Sequence, residues 1–127
     1  MTIVVGYRPD RFGEAALHVG IARAERSGEP LRVVSVSPGR DSGDVMTDET
    51  ERLLEKRLEK SGADATLVRV AGRDVAEEIL GVVATEQASS LVIGIRHRTA
   101  VGKMLLGSVA HRLIIDSPVD IVAAKPR

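Results

Sequence analysis

Cysteine is absent from this chain of 127 residues, and aromatic residues are nearly absent. Without cysteine the chain has no disulfide, no thiolate metal site and no cysteine nucleophile. Tyr7 and Phe12 are its only aromatic residues, too few for a platform that stacks nucleic-acid bases. The 18 Lys and Arg residues balance 18 Asp and Glu residues, so no overall field draws the protein to nucleic acid or to a membrane. We therefore expect neither kind of partner.

Long apolar runs are also missing. No segment approaches the length that spans a bilayer, and no basic leader precedes the first apolar run. We expect a cytoplasmic protein. A chain of this length can bury a hydrophobic core without staples, so residues 1–127 are expected to form a single domain.

Short apolar runs rich in β-branched residues alternate with segments of helical periodicity. The predicted strands are residues 2–6, 31–37, 65–70, 90–94 and 119–124. Continuous apolar strands are typical of parallel sheets that are covered on both faces. The alternation predicts an α/β fold, a doubly wound (Rossmann-like) five-stranded parallel sheet with strand order 3-2-1-4-5 and helices on both faces.

The stretch from Gly94 to Ser108 is the most distinctive motif, Gly-Ile-Arg-His-Arg-Thr-Ala-Val-Gly-Lys-Met-Leu-Leu-Gly-Ser. It joins a strand to a helix through a loop of glycines and cations. A helix start offers free N–H groups and a positive dipole end, and glycine lets an anion approach the main chain. Ligands of doubly wound sheets bind where the winding reverses, so the loops after Gly6 and Gly94 should face one crevice. The stretch predicts a phosphate-binding loop there.

The spacing of Gly94, Gly107 and Ser108 resembles the signature loop of the universal stress protein family. Residues 72–79, 91–94 and 117–122 are similar to the family's turn into its third helix, its fourth strand and its final strand. The resemblance implies a stress-response protein of the predicted fold. Some members bind ATP between the first and fourth strands, whereas others lack the loop glycines and do not.

The resemblance also implies which residues would contact a nucleotide. The phosphates would lie on Gly94, Gly107, Ser108 and the Val109 N–H, and the adenine would lie near Val34 and Val36. The full set of predicted nucleotide-binding residues is Gly6, Tyr7, Arg8, Val36, Gly94, His97, Arg98, Gly107, Ser108 and Val109.

Two positions depart from the family pattern. His97 stands where the ATP-binding members have glycine, and its side chain takes space that a phosphate would use. Arg8 stands where those members have an aspartate, and a guanidinium can only donate hydrogen bonds. Asp10 could substitute for that aspartate. Arg96, His97, Arg98 and Lys103 place donors beside the helix start, where charge-assisted contacts could replace part of the main-chain cradle.

Three functions are therefore open. The first is a regulatory or interaction protein of the stress response, a homodimer with weak or lost ATP binding that acts on an unknown protein partner. The second is a regulatory dimer that binds ATP, with Mg²⁺, or another adenine nucleotide through the loop from Gly94 to Ser108. The third is a loop that takes a different anion or a nucleotide second messenger.

No residue pattern predicts catalysis or a metal site. The chain has no nucleophile elbow and no Gly-Lys-Ser/Thr phosphate loop, so we expect no enzyme activity. His18 and His111 lie in helical segments without partner ligands and are expected at the surface. Ser108 is expected to cap the last helix with its side chain.

The last strand, residues 119–124, is predicted to lie at the edge of the sheet. It is apolar on both faces apart from Asp120, and such an edge needs cover or pairing. The resemblance implies pairing with its copy across a twofold axis. The predicted dimer-interface residues are Val119, Ile121, Val122 and Ala123. Alternatively, Lys125-Pro126-Arg127 blunts the edge and the chain is a monomer.

Overall fold

The structure, a computed structural model, describes residues 1–37, 46–96 and 107–126. Strands and helices alternate along these residues. The elements are β1 (Thr2–Tyr7), α1 (Arg11–Ser27), β2 (Leu31–Ser37), α2 (Asp48–Lys60), β3 (Ala65–Ala71), α3 (Val75–Thr85), β4 (Ala88–Gly94), α4 (Ser108–Asp116) and β5 (Asp120–Ala124).

The five strands form one sheet in which every neighbouring pair is parallel, in the order β3-β2-β1-β4-β5. The predicted fold class and strand order are therefore confirmed. β1 lies at the centre, where Val5 is paired with Val33 of β2 on one side and with Val92 of β4 on the other. The winding reverses at β1, so a crevice should open beside its carboxyl end.

Four strand boundaries differ from prediction. β3 continues to Ala71, which is paired with Ser37. β1 continues to Tyr7, which is paired with Ser35, and β4 begins earlier, at Ala88, which is paired with Thr2. Val119 is outside β5 because it lies in a turn. Its N–H donates to the Ser117 hydroxyl, and the same hydroxyl donates to the Val119 carbonyl.

The core has two layers because successive strand side chains point to opposite faces of the sheet. Ile3 and Val5 pack on the face covered by α1 and α2, together with Leu17, Leu54 and Leu58. Val4, Val34 and Leu91 pack on the other face, together with Ile79 of α3 and Leu113 of α4. Burial on both faces explains why the strands are continuous apolar runs.

Of the four helices within the described residues, three begin with a side-chain cap. Asp10, Thr47 and Asp74 accept hydrogen bonds from the N–H groups of Gly13, Thr50 and Glu77, respectively. α4 differs, because it begins at Ser108 and its N-cap is Gly107, without a side-chain hydrogen bond. The prediction that Ser108 caps this helix is wrong. The serine is the first residue inside the helix rather than the residue before it.

Within the described ranges, no helix is both long enough and apolar enough to span a bilayer.

Candidate functional site

A crevice of about 450 Å³ opens at the carboxyl ends of β1 and β4. This volume lies in the range of about 300–1,000 Å³ that is typical of small-molecule sites. Eight of the ten predicted site residues line it, namely Gly6, Tyr7, Arg8, Val36, Gly94, Gly107, Ser108 and Val109. The other two, His97 and Arg98, lie outside the described residues, as does Lys103.

The predicted adenine wall is only partly at the crevice. Val36 lines it, but Val34 is completely buried in the core and does not. The two side chains share one face of β2, and only Val36 is close enough to the end of the strand to reach the opening. The hydroxyl residue between them, Ser35, also lines the crevice.

Sequence reasoning missed much of the crevice wall. Residues of the β1–α1 connection, of the first turn of α1 and of the faces of α3 and α4 line it without any motif to mark them, and they include Pro9, Phe12, Gly13, Val75, Ile79 and Leu113. Helical periodicity places Ile79 and Leu113 on the face toward the sheet. It does not say that this face meets the open end of the crevice.

Gly94 has a packing role that the motif did not predict. A Cβ atom at Gly94 would lie 2.2 Å from the carbonyl oxygen of Phe12, far inside contact distance. A Cβ at Gly13 would similarly lie 1.8 Å from the carbonyl oxygen of Arg8. The first turn of α1 therefore packs tightly against the end of β4, and glycine is needed at 94 to admit the main chain of Phe12.

Gly107 lies in open surroundings instead. Apart from Gly107 itself and its neighbours along the chain, no atom of the described residues is within 4 Å of the position that its Cβ would occupy. Its φ of −64° and ψ of 157° are ordinary for any L-residue. Neither its backbone nor its described neighbours therefore require glycine. The first-turn N–H groups of α4 have no side-chain cap. A ligand that approached these groups would account for glycine, rather than a larger residue, at position 107.

Among the described residues, the charges at the crevice come from Arg8, Asp10 and Arg96. The Asp10 carboxylate accepts a hydrogen bond of 2.8 Å from the Gly13 N–H, and its second oxygen lies 3.4 Å from Nε of Arg8. Both oxygens thus already have partners. The Arg96 guanidinium lies 5.9 Å from the centre of the Phe12 ring, within the range of a cation–π contact. Arg11 lies on the same ring at 4.9 Å.

Tyr7 forms one wall of the crevice and is only 5% exposed. Its hydroxyl donates a 2.8 Å hydrogen bond to Oε1 of Glu14, and Oε2 of Glu14 accepts from Arg57 at 2.6 Å. Burial and the bond to the Glu14 carboxylate raise the pKa of Tyr7 well above its ordinary value of 10.0. Tyr7 is therefore a protonated donor at neutral pH.

The described part of the chain contains no group of three or more His, Asp or Glu side chains arranged to hold a metal ion. Asp10 is the one carboxylate among the described crevice residues. Mg²⁺ binds through one or two carboxylates together with substrate phosphates. Any Mg²⁺ bound here would therefore take most of its ligands from the phosphates of a nucleotide and from water.

Sequence and structure comparisons agree on the family. The sequence model described as "Universal stress protein family" matches residues 1–125. A universal stress protein of Mycolicibacterium smegmatis is 40% identical over 126 residues, which cover 98% of this chain and 97% of that protein.

Two solved structures from Archaeoglobus fulgidus are also similar. A universal stress protein is 28% identical, with a TM-score of 0.73 and 98% of each chain covered. A universal stress protein in complex with dAMP is 25% identical, with a TM-score of 0.68 and the same coverage. From these matches and the fold, this chain belongs to the universal stress protein family.

Proposed function

We propose that this protein is a regulator that binds an adenine nucleotide in the crevice between β1 and β4. The N-terminus of α4 carries the proposal. It is the one described helix start without a side-chain cap, and it lines a crevice of suitable volume beside an open Gly107. The similar A. fulgidus protein in complex with dAMP supports an adenine nucleotide as the ligand class.

The chemistry of the crevice fits a nucleotide with an anionic end and a flat, largely apolar end. The phosphate would accept from the N–H groups of the first turn of α4, at the positive end of its dipole. Arg96 adds a positive charge on the same side of the crevice as β4. Val36 and Ser35 at the end of β2 offer an apolar and a hydroxyl contact to the base or sugar.

A binding role rather than catalysis is proposed because the described crevice residues contain no nucleophile with its base. Tyr7, Ser35 and Ser108 supply hydroxyls, but neither His18 nor His111 lines the crevice. A bound ligand would contact both the β1–α1 connection and α4. The regulatory consequence would be a change in the surface that an unknown protein partner recognises.

The first experiment is thermal unfolding of nucleotide-stripped protein with dAMP, with ATP–Mg²⁺ and with inorganic phosphate. Ligand at about 100 times its Kd stabilises a fold by roughly 2.7 kcal/mol, which raises the Tm by several degrees. Because Tyr7 is the sole tyrosine and tryptophan is absent, tyrosine fluorescence reports the crevice wall directly. Unchanged Tm and fluorescence with all three ligands at millimolar concentration would sink the proposal.

The second candidate is an interaction protein that has lost nucleotide binding. Arg8 favours it, because this cation lines the crevice at the position where the ATP-binding members of the family have an aspartate. Nε of Arg8 lies 3.4 Å from Oδ2 of Asp10. The variant Arg8→Asp with His97→Gly separates the candidates. If the wild-type protein binds no nucleotide and the double variant does, the interaction candidate is supported. If neither binds, the crevice is closed to nucleotides for another reason.

We also propose a homodimer through β5. This strand lies at the edge of the sheet and is paired with β4 alone among the described strands. Ile121 and Val122 are half-buried, whereas Ala123 is exposed. An apolar edge with exposed main-chain groups is suited to pairing with a second copy.

A further inference from the structure

A second cavity, separate from the crevice, lies between α1 and α2. Its volume is about 430 Å³, close to that of the crevice and within the usual range for small-molecule sites. Tyr7 and Glu14 line it from β1 and α1, and residues 50–60 of α2 line the opposite side. We call this cavity the α1–α2 cleft.

The cleft has an apolar lining at its base and an apolar side chain at its rim. Tyr7 is 5% exposed and Leu54 is 2% exposed, so both belong to the packed core while facing this space. Leu53 is 53% exposed, one of four large hydrophobic side chains that are exposed in the described part of the chain. An exposed leucine beside a concave apolar surface marks a binding site more often than an isolated exposed leucine does.

Positive charge surrounds this apolar surface. Lys56, Arg57 and Lys60 line the cleft, against one carboxylate, Glu14. The Glu14 carboxylate already has partners, because its two oxygens accept hydrogen bonds from Tyr7 and Arg57. Over residues 1–37, 46–96 and 107–126, neither Lys56 nor Lys60 has a carboxylate within 4.0 Å. The two lysines are one helical turn apart, on the same side of α2.

We propose that the α1–α2 cleft binds a small amphipathic anion, a carboxylate or phosphate head joined to a short hydrocarbon tail. The head is held by Lys56 and Lys60, and the tail lies along Leu53, Leu54 and the Tyr7 ring. A positively charged rim over an apolar base matches this class of ligand and disfavours both free cations and uncharged polar solutes. The proposal does not depend on nucleotide binding in the crevice.

The α1–α2 cleft and the crevice share one wall residue, so binding in the cleft is expected to affect the crevice. Tyr7 lines both cavities, and its hydroxyl bond to Glu14 holds it between them. A tail packed on the ring in the cleft therefore changes the surroundings of a residue that also faces the crevice. Occupancy of the cleft is expected to alter the fluorescence of Tyr7, the sole tyrosine.

In the test, the full chain is titrated separately with octanoate and with hexyl phosphate. Binding is measured by Tyr7 fluorescence and by calorimetry. We expect saturable binding of at least one probe at millimolar concentration or below. Butyrate is expected to bind at least about tenfold more weakly than octanoate, because each buried methylene contributes to affinity. Binding of only one probe identifies the head group. Binding of neither, or equal binding of octanoate and butyrate, overturns the proposal.

Variants locate the binding on the cleft. Lys56→Gln with Lys60→Gln is expected to weaken octanoate binding at least about tenfold, by loss of both charge-assisted contacts. Arg26→Gln with Lys125→Gln removes the same charge from exposed positions elsewhere and is the matched control. Leu53→Ser, at an exposed position, is expected to weaken octanoate and leave butyrate unchanged. Equal binding by the lysine variant and the control would overturn the assignment.

Discussion

Two glycines of one sequence motif have different physical roles in this protein. Gly94 leaves room for the main chain of Phe12, whereas Gly107 leaves room at the start of α4 that no described residue fills. The motif spacing places both at the crevice. Only the packing separates the glycine required by the fold from the glycine suited to a ligand.

Gly94→Ala is expected to lower the free energy of unfolding by about 1–3 kcal/mol, the usual cost of overpacking a tight site. The added Cβ would lie 2.2 Å from a main-chain oxygen, and main chain cannot move aside as a flexible side chain can. Urea denaturation measures the effect. Gly81→Ala is the matched control, at an exposed, open position inside α3, and it is expected to stabilise the protein slightly. Equal stabilities of the two variants would contradict the packing role.

Gly107→Ala tests the other glycine. Because its Cβ would meet no described atom and its backbone suits any L-residue, the Tm without ligand is expected to stay within about 2 °C of the wild-type value. The methyl group would stand where a phosphate approaches the helix start. We therefore expect about tenfold weaker binding of dAMP, measured by calorimetry. Undiminished affinity would place the phosphate away from α4.

Tyr7 predicts a dependence of stability on alkaline pH. Its pKa is raised in the folded protein by burial and by Glu14, so the folded chain keeps a proton that the unfolded chain loses above pH 10.0. The folded state then binds more protons than the unfolded state, and the free energy of unfolding falls as the pH rises. Near-ultraviolet tyrosinate absorbance should titrate at a higher pH in folded protein than in urea. Coincident titrations would refute this, and Tyr7→Phe should abolish the signal.

At the scale of elements, the cap at each helix start determines whether the first-turn N–H groups are bound by a side chain or are available to a ligand. Asp74 caps α3 and also accepts a 2.5 Å hydrogen bond from Arg112 of α4, which ties together two of the helices that line the crevice. The Arg112 guanidinium lowers the pKa of Asp74, so this carboxylate stays ionised at neutral pH. α4 is thus held from its side while its N-terminus remains uncapped.

Thr47→Ala is expected to lower the free energy of unfolding by about 1 kcal/mol, the typical cost of losing a helix cap. The Thr47 hydroxyl accepts a 3.1 Å bond from the Thr50 N–H at the start of α2. The variant should therefore loosen the helix that carries the lysines of the α1–α2 cleft. Urea denaturation is the measurement, and Thr47→Ser, which keeps the hydroxyl, is the control. A cap role would be disproved if serine and alanine destabilised the protein equally.

At the scale of the whole molecule, the sheet has two edges, β3 and β5, and we propose that β5 makes the dimer. Light scattering of the wild-type protein should give about twice the chain mass of 13.6 kDa. Ala123→Lys places a charge at an exposed position of β5 and is expected to reduce the mass to that of one chain. Ala71→Lys makes the same change on β3 and should leave the dimer intact. Dissociation by Ala71→Lys alone would assign the interface to the other edge.

The sequence by itself determined the order of the elements, the parallel sheet and the end of the sheet where the crevice opens. These follow from local patterns, since apolar β-branched runs, helical periodicity and the glycine spacing are all properties of neighbouring residues. The family resemblance then marked eight residues that line the crevice, from Gly6 to Val109.

The tertiary structure alone decided what each position does. Val34 is buried in the core, whereas Val36 reaches the crevice. The main chain of Phe12 packs on Gly94 because the first turn of α1 lies against the end of β4. Ser108 does not cap α4, because the helix begins at Ser108 itself, one residue earlier than a serine cap requires. The α1–α2 cleft likewise depends on how two helices meet on one face of the sheet. Contacts between distant segments depend on packing geometry, which periodicity along the chain does not encode.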